Sequence, residues 1–512
     1  MASKKKSKKP APKKPAPKKP APKGPPIPTG QATVACWEDD PGDPQSQPAL
    51  TPITVPAPNQ SATPLPFKIS DAAPAPQVYQ PGTTSFLYYA AACALRRTAD
   101  FWGGVVPKGT SWQVGKVLPV ALDSGVDLNA FYTRGDGGDA PGLHFFHDKV
   151  KGRVYFSGES PDVTCHEMGH AILDALRPQL WDAQSIEAAA FHESMGDMSG
   201  MLSALQVPSF RAQLLTETDG TVNRASRLSR LAEQLGAAIR VQHPDAVDSD
   251  CLRNAVNSFF YRDPQTLPPS APASQLSSEP HSFSRVFSAA FLDALAGMFR
   301  KLGGAAGSAE LAQASQDMGS ILVGGVLAAP VVADYYSQVA AHMIDFAEGA
   351  PFNGKYRDVL TSAFVRRGIL SLQAGAMVSA AKRGATRAFA AIPEVAKRAA
   401  QLPFISINAS QYGLKAGGLK VAAADEPRSL AVTSSSLALG PLEPTSGHAA
   451  AESYTEDLFQ RGHVDTGQHA RRESGLAHPY SFKTHMILEK GGELTLKRIT
   501  FDCGFDHRWR SE

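Results

Sequence analysis

Two histidines stand four residues apart in His166-Glu167-Met168-Gly169-His170. On a helix that spacing leaves both imidazoles on one face, about 40° apart in azimuth and one turn apart in height. Both can then reach one ion. Glu167, beside the first histidine, can point at water held by that ion. A second pair lies in Glu187 to Gly200, where Glu193 and Asp197 are again four apart and share a helix face. A catalytic two-histidine centre needs a third protein ligand and an open fourth position. Glu193 fits the ligand, and Asp197 fits an acceptor for the other ring N–H of His166. The competing readings are a helix with surface histidines and a capped or solvated acidic face. Two imidazoles and one carboxylate suit a single tetrahedral zinc.

Further short motifs follow in a fixed order. Asn129-Ala130-Phe131-Tyr132 precedes Asp162-Val163, which stand four and three positions before His166. His170-Ala171-Ile172-Leu173-Asp174, Glu193-Ser194-Met195-Gly196-Asp197, Leu252-Arg253, His281-Ser282-Phe283-Ser284 and Tyr356 to Leu370 come after. This series resembles the thermolysin-like zinc metallopeptidases, the gluzincin group, over about 84–370.

The resemblance implies a zinc-dependent endopeptidase with a two-lobed α+β catalytic domain: a β-sheet with helices, then an all-helical lobe. It implies zinc ligands His166, His170 and Glu193, and Glu167 as general base. His281 would be the transition-state histidine and Arg253 a clamp on a substrate carbonyl. Asn129 and the Ala130 backbone would hold the peptide as an added strand. Val163 and Leu252 would line the pocket for the residue after the scissile bond; both are apolar, so a Leu- or Phe-like residue is expected there. Several positions depart from the family pattern. Leu276 replaces an acid five residues before His281, with Glu279 nearby. Trp181 stands in the stretch that carries the family's tyrosine, and His192 where Asn is common. Met198 to Thr216 contains no Asp or Glu, so Asp162 has no evident partners and calcium is not expected. A zinc-binding pseudoenzyme or adaptor, acting through its terminal regions, is the alternative.

These residues must be held by helices. Apolar periodicity predicts them at 84–102, 161–176, 185–205, 225–238, 282–302, 309–328, 331–347 and 355–369. Val117 to Leu122 and Arg153 to Ser157 read as strands. Residues 81–372 would form the catalytic domain and 373–400 a connecting helix. An accessory region, β-rich or partly disordered, would follow at 401–512. Within it Lys490-Gly491-Gly492 should turn a hairpin, and its histidines His463, His469, His478, His485 and His507 have no ligand-like spacing.

The 512 residues include 43% apolar and 19% charged ones, ordinary for a folded protein. The net charge of +3 conceals ten lysines in the first 23 residues, where KPAPK occurs three times. Without them the balance is 41 − 48 = −7, which argues against a nucleic-acid-binding core. Twenty of the 40 prolines fall before residue 82. Residues 1–80 are therefore expected to be a disordered arm and linker. The arm is either a solubility tail or a contact for a polyanion or anionic surface. Otherwise the expected partner is a peptide or protein substrate, with the chain a monomer. Five scattered cysteines form no zinc pair or disulfide framework, which fits a reducing compartment and equally a secreted enzyme with few cysteines. No transmembrane segment or secretory signal is evident, so the expectation is action in the cytoplasm or signal-independent export.

Overall fold

The computed structural model describes residues 30–43, 45–55, 57–62, 64–303, 307–372, 401–425, 445–470 and 482–503. The lysine–proline repeat, the 373–400 helix, His478 and His507 lie outside them. The protein is mixed α+β. Among the described residues no helix is long and apolar enough to cross a membrane.

The chain opens with a hairpin, β1 (Gly30–Cys36) and β2 (Ala49–Val55), followed by β3 (Phe67–Ile69). Helix α1 (Thr84–Val105) starts where the Thr83 side chain accepts from the Phe86 N–H. Then come β4 (Leu118–Ala121), β5 (Ala130–Thr133), β6 (Gly142–Phe145), β7 (His147–Val150) and β8 (Arg153–Phe156). Helices α2 (Pro161–Leu176), α3 (Gln179–Asp182), α4 (Ile186–Ala204), α5 (Pro208–Thr218) and α6 (Glu233–Arg240) follow. A short ladder pairs β9 (Arg230–Leu231) with β10 (Arg253–Asn254). The next helices are α7 (Pro280–Lys301), α8 (Ser308–Ala328), α9 (Tyr335–Glu348) and α10 (Arg357–Arg366). Last are β11 (Phe404–Asn408), β12 (Gly418–Ala422), α11 (Gly447–Gln460), β13 (Val464–Asp465), β14 (His485–Lys490), β15 (Glu493–Arg498) and β16 (Thr500–Asp502).

Two five-stranded sheets organise these elements. One runs β16-β5-β6-β4-β3, the other β11-β12-β15-β14-β13. In the first, β3, β4 and β6 are parallel, and β5 is antiparallel to both β6 and β16. Helices α2, α4 and α7 are buried along most of their length.

The sequence expectation fails at the N-terminal side. Residues 30–76 carry strands, and Val34, Ile53, Phe67 and Ile69 are core residues. Proline density misleads here, because turn prolines and strand residues alternate. The helix expected at 225–238 spans Glu233–Arg240, and Pro208–Thr218 is an additional helix. The expected hairpin is present: β14 pairs with β15 across Gly491 and Gly492, both at positive φ (63° and 82°). The region from 401 onward is not a separate accessory unit. Its buried apolar residues, among those described, join the main core, and Arg498 Nε donates to the Trp181 carbonyl at 3.1 Å.

Candidate metal centre

Helix α2 begins at Ser160, whose hydroxyl accepts from the Val163 N–H at 3.2 Å, with Pro161 in the first turn. Helix α4 begins likewise at Ser185, which accepts from Ala188. Glycines let the two helices approach. A Cβ on Gly196 would lie 2.4 Å from the His166 ring, and one on Gly169 would lie 2.8 Å from the Ser199 Cβ. This approach brings the two motifs to one point. His166 Nε2 is 3.3 Å from Glu193 Oε2, and His170 Nε2 is 3.8 Å from Glu193 Oε1.

These groups are buried and short of hydrogen-bond partners. His166 Nε2, both nitrogens of His170 and Glu193 Oε2 make no hydrogen bond. Buried polar groups are normally satisfied, so convergent lone pairs left over indicate a ligand. His166, Glu167 and His170 lie close enough to hold a metal ion. A metal ion therefore fits here; the group able to hold it pairs the two histidines with Glu167, while Glu193 faces both rings.

Asp197 accepts from the other face of His166, with Nδ1 at 3.2 Å. Arg253 Nη2 reaches the same carboxylate oxygen at 3.0 Å, and Ser288 donates to its second oxygen. Burial opposes ionisation of Asp197, but Arg253 and His166 hold it well below the usual carboxylate range. Burial lowers His166, yet Asp197 and Glu193 outweigh it and raise the ring to about 9. A ring so raised carries N–H on both nitrogens; a cation at Nε2 takes the place of that proton, while the Nδ1–H toward Asp197 stays. His170, equally buried and beside His166 and His192, is pushed well below the usual range and stays neutral. Burial pushes Glu167 up to about 8, with His166 opposing and Glu193 reinforcing the rise.

His281 stands at the second position of α7. Glu279 caps that helix, accepting from the Ser282 N–H at 2.8 Å, and its other oxygen lies 2.6 Å from His281 Nδ1. Glu279 thus holds His281 although the position of Leu276 is apolar. Burial lowers His281, but Glu193 and Glu279 together raise it well above its ordinary value. Val163, Leu252, Arg253 and His166 line one cavity, with Arg253 turned toward Asp197.

Asn129 is buried before β5, where its Oδ1 accepts from the Ala130 N–H at 2.8 Å. The expected free edge is not free. Strand β16 pairs antiparallel with β5, and Cys503 N–H donates to the Ala130 carbonyl at 3.0 Å. Phe501, Asp502 and Cys503 therefore belong to the site, and sequence reasoning missed all three. Trp181 is buried against Phe501, with ring centroids 5.4 Å apart, and His192 stacks on the same ring at 3.9 Å.

Asp162 also has partners. Asp40, Asp162 and Glu233 form a second buried group able to hold a cation, contrary to the expectation that Asp162 stands alone. Asp40 accepts from Ser160 and from the Gln234 N–H, so this cluster ties the N-terminal segment to the start of α2.

No family model and no curated protein matches this chain.

Proposed function

We propose that the chain is a zinc-dependent endopeptidase with a thermolysin-like two-lobed catalytic domain. The observation that carries this reading is the convergence of His166, His170 and Glu193, whose facing atoms lie 3.3 and 3.8 Å apart without a well-formed hydrogen bond, beside a buried Glu167. His166, His170 and Glu193 hold the zinc. Bound there, zinc supplies Lewis-acid chemistry, acidifying water and polarising a peptide carbonyl.

Glu167 takes the proton from the attacking water and passes it to the leaving amine. His281, kept protonated between Glu279 and Glu193, donates Nε2–H to the oxyanion. Asp197 orients His166 and anchors Arg253, whose guanidinium borders the substrate pocket. Asn129 and Ala130 lie on the edge to which a peptide would add as a strand, the place that β16 takes. Val163 and Leu252 favour an apolar side chain after the scissile bond. The test is zinc content and peptide hydrolysis of wild type and Glu167→Gln. A folded, zinc-loaded wild type that cleaves no peptide, even with its groove cleared as described below, would favour the adaptor reading.

A further inference from the structure

We propose that Thr500–Cys503 is a built-in occupant of the substrate groove, which holds the proposed peptidase in an inhibited state. The inference rests on the peptidase reading for its consequence, but its geometry is independent of it.

The segment lies where a peptide would. It is antiparallel to β5 in continuous register, Thr500 opposite Thr133 and Asp502 opposite Phe131. The backbone that should receive substrate is taken, since the Ala130 carbonyl accepts from Cys503 N–H. His281 Nε2 is 2.7 Å from the Asp502 carbonyl oxygen. The proposed oxyanion donor is thus already engaged, and the Asp502–Cys503 peptide bond lies at the catalytic centre. Cys503 lines the cavity shared by Val163, Leu252 and Arg253, so it takes the place of the residue after the scissile bond. Its thiol lies against the Glu167 carboxyl, which shields the proposed base from an attacking water.

Packing anchors the segment. The Phe501 ring stacks on His192 at 3.9 Å and on His170 at 5.3 Å, with the Arg498 guanidinium 4.0 Å from its centre. Phe501, Asp502 and Cys503 are only 3%, 7% and 1% exposed. Effective concentration favours the tethered strand, because a short tether keeps it at about millimolar levels near its groove. Inhibitor rather than substrate is the assigned role, and an intact C-terminal side of the Asp502–Cys503 bond is its condition.

Two full-chain variants test this in the presence of zinc. In Glu167→Gln, which should not turn over substrate, alkylation of Cys503 by iodoacetamide is followed by mass spectrometry. Saturating acetyl-Ala-Ala-Phe-Leu-Ala-Ala-amide should displace the strand and speed Cys503 alkylation at least about tenfold, by competition for one groove. In Phe501→Gly/Cys503→Pro the ring anchor and the N–H to Ala130 are gone, and kcat/KM for the same peptide should rise at least about tenfold, because substrate no longer competes with a tethered strand.

Three results overturn the inference: Cys503 alkylated equally fast without peptide, a folded double variant within about twofold of wild type where wild type is active, or a wild-type chain whose intact mass ends at Asp502. Should the double variant fail to fold, the alkylation result decides. Peptide-gated alkylation with no hydrolysis by any form would retire the peptidase and keep the occupied groove. Active wild type with freely alkylated Cys503 would do the reverse.

Discussion

His166 sits between a carboxylate that faces the metal position and one that faces away from it. Glu193 lies on the Nε2 side and Asp197 on the Nδ1 side. The split makes distinct predictions. His170→Ala and Glu193→Ala should each abolish tight zinc binding, measured by elemental analysis after dialysis; undiminished zinc in both would remove the site. Asp197→Asn should weaken zinc affinity about 10–100-fold by freeing the imidazole to turn. A competition titration with a chelating dye measures this, and unchanged affinity would mean that Arg253 and the surrounding packing suffice. Gly196→Ala should do similar damage from the opposite helix, since its Cβ must displace the His166 ring. Overpacking of this kind costs about 1–3 kcal/mol of stability. The meeting of His166 and His170 was readable because a helix turns four residues into one face without help from elsewhere. Glu279 was a weaker signal: its distance from His281 in sequence gives no hint that one carboxylate both caps the helix and reaches Nδ1.

Helix α4 also carries a buried acid that the chemistry does not use. Glu187 accepts from the Tyr261 hydroxyl at 2.6 Å and from the Tyr336 N–H at 2.7 Å, joining α4 to α9. Burial, reinforced by Asp334, raises its carboxyl well above the model-compound value of 4.5. The folded state therefore holds a proton that the unfolded chain releases. Stability from this group is complete below about pH 4.5 and falls as pH rises toward the folded value. Glu187→Gln keeps an acceptor for the Tyr336 N–H and, like the protonated carboxyl, offers a donor to the Tyr261 hydroxyl, which can turn to accept it. In urea unfolding it should match wild type at acid pH and exceed it at pH 8, with a flatter pH profile. A mutant equally destabilised at both pH values would show that Glu187 is ionised in the fold. At the scale of elements, long amphipathic helices and the Gly491-Gly492 hairpin were legible, because their signals are local. Strand β16 was not: its partner lies some 370 residues earlier, and nothing within Thr500–Cys503 names it.

The molecule closes its site with both ends of the described chain. The N-terminal segment brings Asp40 to Asp162 and Glu233, and the C-terminal strand lies in the groove. Three carboxylates so close repel one another unless protons or a cation offset them. Removal of residues 1–29 should leave fold and activity unchanged. Removal of 1–76 should not, although composition alone would permit it. That cut takes Val34, Ile53, Phe67 and Ile69 out of the core. At about 1.5–3 kcal/mol each, their loss rivals the whole stability of a typical domain, about 5–15 kcal/mol. Thermal unfolding of the two truncations separates these outcomes, and a stable Δ1–76 protein would show the hairpin to be dispensable.

The central claim is that Glu167 works as a base on water beside a zinc held by His166, His170 and Glu193. The most direct test measures bound zinc and peptide hydrolysis side by side for wild type and Glu167→Gln. Both proteins should hold about one zinc, as one tetrahedral site requires, and the substitution should cut kcat/KM by several orders of magnitude through loss of the base alone. Hydrolysis by Glu167→Gln within about tenfold of wild type, with zinc still bound, would contradict the account, because a group that takes the proton in the transition state cannot be removed so cheaply.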